Sequence, residues 1–149
     1  MRAVVQRVSH ANVVVNNEAV SSINKGLLVL LGVETGDSDE DIRYMVQKIR
    51  YARIFEDEQD KMNLDVAQVN GAILLVSQFT LLGDARKGRR PSYTGAARPE
   101  IADELYEKVA DGLRQEGLSV ATGQFRTHME VTLCNDGPVT LLLDSRKTF

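Results

Sequence analysis

Ser77, Gln78 and Thr80 stand close together at the end of an apolar run, Ala72-Ile73-Leu74-Leu75-Val76. A continuous apolar run with no turn signal inside it reads as a strand buried on both faces. Polar groups that follow such a strand are held on a rigid base, which a binding or catalytic site requires. Ser77, Gln78, Phe79 and Thr80 are therefore the candidate catalytic residues; the plainer alternative is that they mark where a core strand reaches water. A Ser or Thr nucleophile at neutral pH needs a neighbouring base. The only histidines are His10 and His128, neither of them near Ser77 in sequence, and no Ser-His-Asp or Ser-Lys pattern is legible. Covalent catalysis by a side chain is poorly equipped.

A second stretch, Asn135-Asp136-Gly137-Pro138-Val139-Thr140, lies between the apolar-patterned runs Met129 to Cys134 and Val139 to Leu143. Taken alone it reads as a turn. A third, Arg86-Lys87-Gly88-Arg89-Arg90, places four cations in five positions soon after Thr80, and a basic patch on an acidic chain is a local docking surface. The sequence carries no His-Glu-x-x-His, no Cys or His cluster, no phosphate-cradling Gly-x-x-x-x-Gly-Lys loop and no Gly-x-Gly-x-x-Gly. Metal, nucleotide triphosphate and dinucleotide chemistry have no motif to rest on, so neither a metal nor a cofactor is expected.

Together the two motifs closely resemble the paired signatures of the D-aminoacyl-tRNA deacylases, Ser-Gln-Phe-Thr-Leu and Asn-x-Gly-Pro-Val-Thr. The resemblance extends to Arg2-Ala3-Val4-Val5-Gln6-Arg7-Val8 and to Gly123-Gln124-Phe125 through Met129. It implies a barrel-like sheet with helices outside, and hydrolysis of the ester joining a D-amino acid to tRNA. It further implies a homodimer in which a cis Gly137-Pro138 pair enters the partner's active site and rejects L side chains, with Arg7 a candidate to hold the Gly-Pro carbonyls. Glycine has no side chain to collide, so glycyl-tRNA is expected to be cleaved as well. Because the ester is already labile, backbone N-H groups near Ser77 to Thr80 can stabilise the oxyanion while the ribose 2'-hydroxyl helps to activate water. Phe125 and Met129 match the family's pocket-lining segment and are expected to contact the terminal adenosine. Arg86, Lys87, Arg89 and Arg90 are the candidate tRNA phosphate contacts. One departure stands out: Arg126-Thr127-His128 replaces the small residues of many relatives, which puts the shape of the pocket in question.

The elements that must position these residues follow from periodicity. Arg2 to Val8 and Ala11 to Asn16 read as strands joined through Asn16-Asn17 to a hairpin partner, and Leu27 to Val33 reads as a central strand. Ser38 is a plausible N-cap of a helix whose Ile42, Met45, Val46 and Ile49 form one apolar stripe. Arg53 to Phe55 and Met62 to Val66 suggest a hairpin, and Asn70-Gly71 a turn into the Ala72 strand. A long loop, Gly83 to Arg98, leads to a second amphipathic helix that starts at Pro99 and turns Ile101, Leu105, Val109 and Leu113 inward. Leu118 to Val120 and the two runs around the second motif supply further strands, and Ser145 to Phe149 reads as a loosely held tail. Without regular strand-helix alternation the fold reads as α+β with two amphipathic helices; the resemblance implies that its antiparallel or mixed sheet is barrel-like, with the helices packed outside.

At 149 residues and 43% hydrophobic the chain suits one domain, 1–149, with no stretch long enough to span a membrane. The first apolar run is interrupted by Gln6 and Arg7, so no signal core forms and a cytoplasmic location is expected. The single cysteine, Cys134, excludes an intrachain disulfide and reads as a small buried hydrophobe beside a turn. Net charge is -3, from 18 Lys and Arg against 21 Asp and Glu, so nucleic-acid affinity must come from local patches. Two alternatives remain open: a non-catalytic RNA-binding module, which few aromatics and no Trp disfavour, and an esterase with Thr80 or Ser77 as nucleophile acting on small esters.

Overall fold

A computed structural model describes all residues 1–149. Its strands are β1 (Arg2–Val15), β2 (Glu18–Ile23), β3 (Gly26–Gly32), β4 (Phe55–Glu56), β5 (Met62–Leu64), β6 (Ala72–Ser77), β7 (Ser119–Thr122) and β8 (Glu130–Asp144). Two helices, α1 (Asp39–Arg50) and α2 (Pro99–Gln115), and a 3-10 turn, Phe79–Leu82, complete it. The main sheet runs β2-β1-β3-β6-β7, with β8 also paired to β1. β3, β6 and β7 are mutually parallel and the other pairs antiparallel. The result is a nearly closed mixed barrel with two outer helices, the α+β class that the sequence pattern predicts and the barrel that the resemblance implies.

Burial of both faces of β6 explains its unbroken apolar sequence. Ile73 and Leu75 join the core under the helices, while Leu74 and Val76 face a second core shared with Val8, Ala11, Val13 and Leu28. Fully burying a side chain of this kind stabilises the fold by about 1.5–3 kcal/mol, which makes β6 a firm base. α1 begins as expected: Ser38 N-H donates to Asp41 Oδ2 at 2.8 Å, and Ser38 Oγ accepts from the N-H of Glu40. Asn16 and Asn17 take the positive φ values, 50° and 63°, of a tight hairpin.

Several expectations are corrected. The two N-terminal strands are one, β1, with register shifts against β8 around Val8 where the strand bends. Asn135 to Thr140 is not a turn between separate strands but an outward excursion within β8. Gln6 pairs with Thr140 and Val8 with Asn135, leaving Asp136 to Val139 opposite Arg7 alone. Cys134 is exposed, not buried, because it occupies the outer phase of the β8 alternation. Ile101 is 53% exposed; the inward stripe of α2 is Leu105, Tyr106, Val109, Ala110 and Leu113. The C-terminal tail is tied down by charge. Ser145 N-H donates to Met1 O at 3.0 Å, and the Arg146 guanidinium donates to Thr35 O and pairs with Glu34 at 3.1 Å. No helix is long and apolar enough to cross a membrane.

Candidate active site

The strand-to-turn corner after β6 is set by backbone bonds. Gln78 N-H donates to Leu31 O at 2.8 Å, extending the parallel ladder one residue, and the chain then closes into the 3-10 turn, where Gly83 N-H donates to Thr80 O at 3.0 Å. β3 must end in glycine for this corner to form. A Cβ on Gly32 would lie 2.5 Å from Leu82 Cδ2 and 2.8 Å from Gln78 O. Beside the corner is a cavity of about 730 Å³. Ser77, Gln78 and Phe79 line one side and Phe125 and Met129 another, so two segments far apart in sequence converge on one space. Thr80 does not line it; its hydroxyl contacts Gln78 Nε2 at the exposed surface.

Residues that motif reasoning overlooked complete the walls. Tyr106, inside the α2 stripe, donates its hydroxyl to Leu75 O at 2.7 Å, and burial pushes that hydroxyl's pKa well up. Its ring lies 6.0 Å from Phe125. Tyr106 is thus a neutral, fixed wall, and its position in a helical stripe was the signal for its burial. Tyr93, Arg98 and Arg126 also line the cavity. Arg126 has a left-handed backbone, φ 58°, which an arginine code does not advertise. His128 lines the cavity too, whereas His10 sits at the β1 bend with only Ser9 for a side-chain contact, so the histidines do not meet.

Gly137 and Pro138 are exposed and outside this cavity. The bond between them is cis, and Gly137 has φ 132°. The excursion is braced from below. Arg7 is 5% exposed; its Nε donates to Asp136 O at 3.0 Å and its Nη1 to Ile54 O at 2.8 Å. The expected grip on the Gly-Pro carbonyls is therefore placed one residue earlier, on Asp136. Asn135 braces the other side: Oδ1 accepts from Val139 N-H and Nδ2 donates to Thr140 Oγ1, both at 3.1 Å.

The basic segment sits at the tip of a loop that Asp84 and Ser92 close with a pair of backbone bonds, 2.7 and 2.9 Å. Lys87, Arg89 and Arg90 are exposed and make no ion pair, but the Arg86 guanidinium donates twice to the Asp84 carboxylate and holds its pKa far below the usual carboxylate range. All four cations face solvent, Arg86 at 87% exposure, and three of them carry no ion pair. No group of three or more His, Cys, Asp or Glu side chains is placed to hold a metal ion.

This barrel, with its strand-end cavity and its braced outer excursion, belongs to a known structural class. A solved structure of a probable eukaryotic D-amino acid tRNA deacylase superposes with TM-score 0.80 at 19% identity, covering 95% of this chain and 97% of its own, and so shares the fold. A second, the c-Myc DNA Unwinding Element Binding Protein, superposes with TM-score 0.91 at 40% identity, covering 97% and 98%. A family model described as D-Tyr-tRNA(Tyr) deacylase matches residues 4–144. Curated D-aminoacyl-tRNA deacylases of Natranaerobius thermophilus and Clostridioides difficile are 62% and 58% identical to the chain, with 100% of each chain covered. The chain belongs to the D-Tyr-tRNA(Tyr) deacylase family.

Proposed function

We propose that this chain hydrolyses the ester of D-aminoacyl-tRNA, acting in the cytoplasm as a homodimer whose Gly137-Pro138 excursion enters the partner's cavity. Within a deacylase-family chain, the observation that carries this reading is the convergence of Ser77-Gln78-Phe79 with Phe125 and Met129 on one cavity. Phe125, Tyr106 and Met129 offer an apolar, partly aromatic seat for the terminal adenosine. The ester then lies toward the corner, where amides that open a helical turn lack intrahelical partners and are free to face an oxyanion. No carboxylate lines the cavity, His128 is its one imidazole, and the Thr80 hydroxyl bonds only to Gln78; the substrate's own ribose hydroxyl fills the need for a base. Chirality is read by collision. A rigid, exposed Gly-Pro segment braced by Arg7 and Asn135 suits a wall that an L side chain strikes and a D side chain avoids. Glycyl-tRNA passes the same wall and is cleaved.

Single-turnover hydrolysis of matched D-tyrosyl-, L-tyrosyl- and glycyl-tRNA by the metal-stripped protein tests this. The expected result is rapid loss of the D and glycyl esters with the L ester spared. Survival of all three with tRNA still bound would leave an RNA-binding module. Cleavage of all three would remove Gly137-Pro138 as the filter.

A further inference from the structure

The cavity is apolar inside, yet two arginines from different elements stand at its edge. Arg98 is the last residue of the Gly83 to Arg98 loop, and Arg126 belongs to the turn before β8. Both line the same cavity, and Arg126 Nη1 lies 4.0 Å from Oε1 of Glu100, two residues beyond Arg98. That contact is long and both partners are largely exposed, 68% and 78%, so solvent screens it. Arg98 makes no ion pair and no side-chain capping bond to α2. Both guanidinium forks therefore keep donors free beside a cavity whose interior suits a nucleobase. Arg126 adds a second, independent observation. Its backbone is left-handed, φ 58°, a conformation that favours glycine and that the chain otherwise gives, outside glycine, to four Asn or Asp residues and Lys147. Its side chain makes no close bond that would offset this within the fold. Residues kept in disfavoured backbone regions cluster where function requires them.

We propose that Arg98 and Arg126 form a phosphate clamp at the mouth of the cavity, holding the phosphate on the 5' side of the terminal adenosine of the RNA. The proposal rests on the reading of this cavity as an adenosine seat. Guanidinium forks match phosphate oxygens in pairs, so the clamp fixes how far the adenosine enters and with it where the ester lies. Glu100 serves as the resting partner of Arg126 and yields it to the phosphate. The clamp is separate from the Arg86 to Arg90 tip, which lies beyond the Asp84 to Ser92 closure and makes no part of the cavity wall.

Calorimetric titration with adenosine 5'-monophosphate and with adenosine tests the clamp directly. Wild-type protein is expected to bind the monophosphate about tenfold more tightly than the nucleoside, the scale of one good charge-assisted contact. Arg126→Gly and Arg98→Gln should each shrink the ratio of monophosphate to adenosine affinity, and together bring it to one. Arg126→Gly should also melt no lower than wild type, because glycine suits the left-handed position; a merely structural arginine would instead lower the melting temperature. Equal wild-type affinity for the two ligands, or a preference that survives in the double variant, overturns the clamp. Hydrolysis of D-tyrosyl-tRNA by the same wild-type sample separates the two readings. A phosphate preference without hydrolysis upholds the clamp and removes the deacylase activity; hydrolysis without a preference removes the clamp alone.

Discussion

The two signature segments are held in opposite ways. Ser77 to Leu82 is continuous with a deeply buried strand and fixed by its own backbone, its Ser77 and Gln78 lining a cavity in the same chain. Asn135 to Thr140 bulges outward from β8, its Gly137 and Pro138 exposed, and is stiffened by the side chains of Arg7 and Asn135. One segment is rigid because the core surrounds it, the other because a buried cation and an amide prop it up. A receptor surface can be made from core. A probe that must reach into another molecule cannot be buried at home, so its stiffness has to come from bracing, and it is correspondingly easier to unbrace.

The largest effect is expected at the receptor side. In Gly32→Ala the new methyl would press on Gln78 O, a backbone atom that can move only by displacing the corner. Misplacement of reacting groups by about 1 Å can cost on the order of a hundredfold in rate. Single-turnover hydrolysis of D-tyrosyl-tRNA should fall by about that factor, with circular dichroism still that of a folded protein. Near-normal turnover would show that the corner does not carry the chemistry. The next effect belongs to the probe side. Arg7→Ala removes two charged-donor hydrogen bonds to main-chain carbonyls and should lower unfolding free energy by about 3 kcal/mol in urea titrations. D-ester hydrolysis should change little while L-tyrosyl-tRNA becomes a substrate. A variant that loses stability but keeps full selectivity would break the contrast, because the wall would then not depend on its brace.

The same contrast explains what the sequence made legible. β6 and its polar end could be read because both-face burial is written locally, as an unbroken apolar run. The 3.6-residue stripe of α1 was equally local, and Ser38 with Asp41 marked its start. The outward bulge of β8 was not legible as one. Asn135-Asp136-Gly137 has turn chemistry, and only its pairing across the barrel with β1, more than a hundred residues earlier, shows that the strand continues beyond it. Cys134 followed from the same misreading, since the apparent turn hid which phase of the strand faces water. Phe125 and Met129 lie in a segment the resemblance points to, but Tyr93 and Arg98 reach the cavity only through loop closure. Val33 O accepts from Ala97 N-H, and Thr35 N-H donates to Gly95 O; no local pattern encodes either bond. The tail was misjudged because its anchors, Thr35, Asp37 and Asp41, lie over a hundred residues away.

The smallest effect is expected where side-chain chemistry would have predicted the largest. Thr80 belongs to the first signature, yet it is exposed, lies off the cavity wall and touches Gln78 Nε2 rather than a base. A hydroxyl without a neighbouring base is a weak nucleophile at neutral pH. If the corner works through main-chain donors and the substrate's ribose, Thr80→Ala removes one polar contact and leaves the amides where the 3-10 turn puts them. Turnover of D-tyrosyl-tRNA should then fall less than tenfold, with unchanged stability and unchanged chirality. Replacing the terminal ribose by its 2'-deoxy form in the same assay should cost far more. Complete loss on Thr80→Ala, with the deoxy substrate cleaved normally by wild type, would move the chemistry from the RNA to the protein and make the corner a nucleophile's seat instead of an oxyanion's.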